Sequence, residues 1–559
     1  MSSKKRYILG LVMNNDEELQ RKLGVLQEQF KAGKIKVSSE IYDKVASSLE
    51  AVRLDSNGKV DLSTVDATVR EMASAITMFH DREENKKAIP LNEIQKAYFG
   101  FIEANFSPFY EMMIKANKDP QITAQFFSQD PSHRQNLLKS IPEFLGHIRE
   151  LWSSCGDVAW DHLEDMNCLK LSHAGDLFPS YAHNVASKCG IYSDTIVLPC
   201  PFVRTLELYD MWNEQQKVFY LIKHALSVLA YKDLALTELA NPIVVVLPEP
   251  KFFEEHEADF IQFLAESDCL KLAGNAFERK FESIDEAYDF FSTLDDKHKV
   301  LTAIKDESKL LADVSIGADV EKQLNELCDV PFSAMQKFNT GQIVLTNFLG
   351  RMGQANDALL KSRRVKGVPL IDAPTSWKYF NWKLQLDGSR LEHEQREHLH
   401  CSHALTSLDE TELSWLGDIP PAALIEIRQQ GALEEIRDIM TSNIGTLIEA
   451  SPDNFGQTTY QVYKNFQSAF ETHNQKLAEL RGKKWRFAGV DIGSMICTGA
   501  IELAAVATGT PLFGFASWAA GQVLDTPKIR DIPQKYRDLI EEDKKLSNSP
   551  VGLLVQCKK

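Results

Sequence analysis

Apolar residues recur at helical spacing through most of the chain. Leu19, Leu23, Leu26 and Phe30 share one face within a helical stretch over 16–50, and a second helix is expected over 63–84. Ser56-Asn57-Gly58 marks the turn between them. The stretch 91–118 carries Tyr98, Phe99, Phe101, Phe106, Phe109 and Tyr110, a stripe read as core, with Pro108 expected to break or kink it. Pro131 and Pro142 punctuate two further helices ending near Trp152. The short apolar run Tyr7 to Met13, with acidic residues after it and no small-residue cleavage site, reads as a buried strand rather than a signal peptide.

The pattern changes after residue 153. Gly190 to Pro199 and Asn241 to Pro248 are strand-like runs between breakers, with a helix over about 203–238 between them. Strand, long helix, strand is the signature of a crossover unit, and a site in such a unit opens in the loops after the strands, near Pro199-Cys200-Pro201 and Pro248-Glu249-Pro250. Helices are expected over 252–265, 283–293 and 320–362. Gly367, Pro369 and Pro374 suggest a linker over 365–376, and Trp377 to Leu386 a strand. Asp418 reads as the N-cap of a helix carrying Pro420 and Pro421 in its first turn. Further helices follow over 459–480 and 533–546. The expected fold is mostly α with a smaller α/β part. The expected division is a helical domain over 1–153, an α/β domain over 154–312, a helical domain over 313–480 and a C-terminal module over 481–559.

Within that module the stretch Phe487 to Leu524 stands apart from the rest. Only Asp491 and Glu502 are charged within it, and seven of the 28 glycines of the chain fall between Gly482 and Gly521. Gly489 with Gly493, Ala505 with Gly509 and Ser517 with Gly521 repeat the small-xxx-small spacing that lets helix backbones approach closely in lipid. In water each such glycine weakens a helix by about 1 kcal/mol against alanine. Leu503 to Leu524 has the length of a span, but Thr508, Thr510, Pro511, Ser517 and Gln522 dilute it. Two readings follow: a hairpin bent at Thr508–Pro511 that is released into a membrane, or a glycine-rich buried helical pair. Trp485, Gly489, Gly493, Gly509, Pro511, Phe513, Phe515, Trp518 and Gly521 are the candidate membrane or assembly residues. Arg481, Lys483, Lys484 and Arg486 are the candidate contacts to anionic head groups.

Composition narrows the classes. The formal net charge of -17 disfavours nucleic acid as a partner, because phosphate is repelled without a local basic patch. Nine cysteines, an odd number with no CxxC pair, read as free thiols of a reducing, cytoplasmic compartment.

The densest ligand-type cluster is His393, His398, His400, Cys401 and His403. His398, His400 and His403 are candidate metal ligands, although their spacing fits no zinc pattern. Arg396 followed by His403 resembles the Arg-x(4–6)-His motif of HEPN ribonucleases, and the resemblance implies that this pair would act on RNA phosphate and the 2′-hydroxyl. Ser172-His173 with Asp176, and His183 with Cys189, are adjacent in sequence only, which rarely makes a catalytic set. Gly489-Val-Asp-Ile-Gly493-Ser494 resembles the first phosphate loop of actin-like sugar kinases, but too little chain follows it to complete that domain.

The reading is a non-enzymatic intracellular factor that needs no cofactor. It binds a protein partner, homo-oligomerises as an option, and uses its C-terminal segment for assembly or peripheral attachment to a membrane. Large intracellular proteins without an enzyme motif and with a covered apolar module include effectors of bacterial anti-phage defence. The alternatives are a metal-dependent hydrolase or HEPN-like ribonuclease using the 393–403 cluster, and a pure scaffold. On the main reading, deleting 487–524 abolishes binding to anionic liposomes in a co-sedimentation assay while leaving the rest folded. Failure of the intact chain to bind, with or without a partner, removes that reading.

Overall fold

The computed structural model describes residues 15–56, 58–174, 184–209, 212–248, 255–313, 315–329, 337–387, 393–408, 413–482, 486–487, 490–491 and 534–558. The chain is mostly helical with one small parallel sheet, and it divides into two units, residues 1–100 with 143–166, and 101–142 with 167–559. The strand expected over Tyr7–Met13 lies outside the described residues.

In the first unit, the helix Asn15–Lys31 presents Leu23 and Leu26 to Val69 and Ala73 of the helix Ala67–Ala88, with Val65 closing the cluster. Asp66 caps the second helix by accepting from Val69 N at 2.9 Å, which satisfies one of the amides that a helix start leaves orphaned. Tyr98 and Trp152, both fully buried, pack with their rings tilted at 42° and their centroids 5.1 Å apart.

Neither Pro108 nor Pro142 breaks the helix that carries it. Leu91–Lys115 continues as one helix through Pro108, and Pro131–Asp165 through Pro142. Proline removes one hydrogen bond and crowds the preceding turn, at about 3 kcal/mol. Buried anchors lie on both sides of each proline: Tyr98, Phe99, Ile102 and Met113 around the first, Ile141, Ile148, Trp152 and Leu163 around the second. At roughly 1.5–3 kcal/mol per fully buried large side chain, that burial outweighs the break.

In the second unit, the expected strands occur as β2 (Thr195–Pro199) and β3 (Val244–Leu247), parallel neighbours. The connection between them is not one helix but four pieces, Pro201–Arg204, Leu206–Tyr209, Glu214–Leu229 and Lys232–Leu236. The sheet also has two strands that the pattern did not announce, β1 (Lys170–His173) and β4 (Val368–Leu370). The stretch taken as a linker is therefore the edge strand β4. Trp377–Leu386 is not a strand but lies within the helix Pro374–Asp387, which turns Tyr379, Phe380 and Lys383 inward. Asp418 does not cap a helix; it ends a short 3-10 turn, and the helix Pro421–Gln429 starts after Pro420.

The strand order is β3-β2-β1-β4, all parallel. Successive crossovers carry the chain from β1 outward to β3. The chain then returns, after two long helices, to the opposite side of β1. Those helices, Glu255–Phe277 and Thr340–Arg364, bury Cys269, Leu272, Ala273 and Ala276 against Val344, Phe348 and Met352. Thr340–Arg364 opens with a reciprocal cap between Asn339 and Gln342. It closes with Lys366 N donating to Arg363 O and Gly367 N to Ser362 O at 2.7 Å, Lys366 adopting the left-handed φ of 52°.

Gly367 then passes directly over the backbone of β1. A Cβ there would stand 2.6 Å from Lys170 O and 3.1 Å from Lys170 Cβ. Gly367→Ala is accordingly expected to destabilise the second unit by about 1–3 kcal/mol by wedging β4 from β1. Urea denaturation checks this, and an unchanged midpoint would show that the strands separate freely.

Candidate functional site at the carboxyl edge of the sheet

In an open parallel sheet, ligands bind outside the carboxyl ends of the strands, at the point where successive crossovers change direction. Here that point lies between β1 and β4. His173 is the last residue of β1, in register with Leu370, the last of β4; Ala174 N donates to Leu370 O at 2.9 Å and carries the pairing one step further. Asp372 follows two residues after β4. The topology thus brings together two side chains 199 residues apart: His173 Nε2 meets Asp372 Oδ1 at 3.1 Å, with side-chain exposures of 0% and 7%.

Burial alone would raise the Asp372 carboxyl. The attraction of His173 and its hydrogen bond, the carboxyl's own backbone amide and the nearby Lys188 ammonium outweigh it and hold the group below its usual range. An ionised carboxylate only accepts, so His173 Nε2 is the donor. The other ring nitrogen, Nδ1, is shut off from solvent and has no hydrogen-bond partner. That nitrogen stands open on the far side of the ring from the acid. Lys188, 4% exposed, comes from the helix Val185–Cys189, whose first amides are capped by Asn184 Oδ1 at 2.9 and 3.2 Å.

Compared with known proteins, the chain matches no family model, no curated protein and no solved structure.

The residues singled out in the sequence are placed differently. Asp176 and His183 lie outside the described residues, and His173 finds its acid across the sheet. The histidine cluster occupies one helix, His393–Thr406, and its members face separate partners. His398 Nδ1 meets Tyr192 Oη at 2.7 Å. His400 is fixed by Thr458 Oγ1 at 2.8 Å and Pro452 O at 3.0 Å and stacks on Phe455 at 3.8 Å. His403 stacks on Trp377 at 3.8 Å. Arg396 is half-buried on the same helix. Among the described residues, no group of three or more His, Cys, Asp or Glu side chains is arranged to hold a metal ion. The eight described cysteines are free, and burial pushes Cys189 and Cys401 up to about 12, which keeps both as thiols.

Trp485, Gly489, Gly493, Gly509, Pro511, Phe513, Phe515, Trp518 and Gly521 lie outside the described residues, as do Lys483 and Lys484. Arg481 is in the helix Phe455–Gly482, and Arg486 in a two-residue strand paired antiparallel with Val490–Asp491. No helix among the described residues is long and apolar enough to cross a membrane.

The buried imidazoles make stability depend on pH. Desolvation lowers His224 to about 3, His400 to about 4 and His403 to about 3, with Lys223 adding to the shift at His224 and Arg396 at His400. Their folded values lie below the unfolded 6.5, so the unfolded chain takes up protons first as pH falls. Stability is full above about pH 6.5 and is lost below it, by up to about 2 kcal/mol per ring at pH 5. Urea midpoints measured from about pH 7.5 to 5 are expected to fall steadily; a flat profile would mean the rings are already charged or solvated.

Proposed function

We propose that the second unit binds a polar small molecule at the carboxyl edge of its sheet and performs proton-transfer chemistry on it. His173 is the general base, and Asp372 holds it in the Nε2–H tautomer. The reading rests on one observation: a buried imidazole at the switch point of a parallel sheet, fixed through Nε2 and unpartnered at Nδ1. A general base needs a free lone pair, a fixed tautomer and a site from which water is excluded, and this pair supplies all three. Lys188 is the neighbouring cation, suited to holding the carboxylate or a negatively charged part of the ligand.

The reaction class is the removal of a proton from a hydroxyl or a water that then attacks or rearranges the bound ligand. The thiol of nearby Cys189 is held protonated and is a poor nucleophile. Hydrolysis by an activated water is therefore the form favoured over a covalent intermediate.

A panel of p-nitrophenyl esters and phosphates, glycosides, nucleotides and dinucleotides tests the reading. Turnover of at least one member is expected to fall about 100-fold or more in His173→Ala, the span a general base contributes. Asp372→Asn should lower kcat more than KM and shift the pH profile. Equal rates in wild type and His173→Ala, or no turnover of any member, would leave the pair a purely structural link between strands.

A further inference from the structure

The turn that feeds β2, from Gly190 to Asp194, lies at the amino end of the sheet, opposite the His173–Asp372 edge. Two arginines grip it from C-terminal helices, Arg428 of Pro421–Gln429 and Arg437 of Leu433–Thr441. Arg428 Nη2 donates to Gly190 O at 2.6 Å and to Ser193 O, and Arg437 Nε donates to Tyr192 O. Arg437 Nη2 stands 2.9 Å from Asp194 Oδ2 but off the hydrogen-bond axis, and that oxygen already accepts from Leu169 N at 2.8 Å.

Three guanidinium nitrogens remain without an acceptor: Arg428 Nε, Arg428 Nη1 and Arg437 Nη2. All are closed off from solvent. Among the described residues, two cations here face one carboxylate. Burial brings Arg428 down to about 10; Asp194 opposes that shift, while Arg437 adds to it. Cys168 is no substitute acceptor, since burial raises its thiol too. Buried donors on a charged fork are costly when unmet.

We propose that Arg428 and Arg437 form a binding site for a small oxyanion, a phosphate or carboxylate group, seated against the 190–194 turn. The excess positive charge calls for an anion, and the open N–H groups of two planar forks call for an acceptor with several oxygens. Occupancy would fasten the 421–441 helices to the strand they brace.

Thermal unfolding and calorimetric titration of the full chain with sodium phosphate, sodium acetate and sodium chloride at matched ionic strength test this. Phosphate or acetate should raise the Tm saturably where chloride does not, and the more effective of the two identifies the source. Arg428→Gln should weaken that binding roughly tenfold or more, and Arg428→Lys, which keeps the charge but loses the fork, should fall between. Asp194→Asn keeps an acceptor for Leu169 N and removes the competing charge, so it should bind the anion more tightly than wild type. Identical Tm values in all three salts for wild type and Asp194→Asn would overturn the proposal, water then meeting the donors. Saturable binding that Arg428→Gln and Arg428→Lys leave unchanged would overturn it equally, by placing the anion elsewhere.

Discussion

The attachment of β4 to β1 is the constraint from which the rest of the second unit follows. It sets the point at which the crossovers reverse, it carries Asp372 to His173, and it depends on a backbone approach that only glycine permits at Gly367. The helix Thr340–Arg364 aims that approach through its closing turn at Lys366 and Gly367. A small local geometry at residues 362–367 therefore decides whether an acid and an imidazole far apart in the chain share one hydrogen bond.

The two ends of the sheet solve opposite electrostatic problems. At the carboxyl edge, a buried carboxylate is surrounded by an imidazole and an ammonium, so the negative charge is satisfied and one ring nitrogen is left open. At the amino edge, positive charge exceeds negative and the open groups are donors. Elsewhere in the second unit a buried carboxylate is met by donors alone, as at Asp268, which accepts from Lys383 Nζ at 2.5 Å and Asn356 Nδ2 at 2.8 Å.

Much of the helical layout was legible from apolar spacing, because a helix of three or more turns repeats its pattern several times. The strands β2 and β3 were legible as β-branched runs between prolines and glycines. β1 was not: Lys-Leu-Ser-His is four residues long, has no β-branched member and is buried on both faces, so alternation cannot mark it. β4, Val-Pro-Leu, was masked by the proline tolerated at a sheet edge. With both flanking strands hidden, the switch point was hidden as well, and His173 could be matched only with neighbours in sequence. The histidine cluster shows the converse. Its density drew attention, yet stacking on Trp377 and Phe455 and bonds to Thr458, Pro452 and Tyr192 occupy the rings, and such partners leave no mark on spacing.

The order in which the strands leave the ribosome has its own consequence. β1, β2 and β3 are all made before residue 250, whereas the strand that covers the other flank of β1 emerges only at 368–370. Throughout that interval of synthesis the nascent sheet carries a bare edge with unsatisfied amides and carbonyls, the surface on which chains pair wrongly with one another. A product cut short before residue 368 would keep that flank of β1 bare.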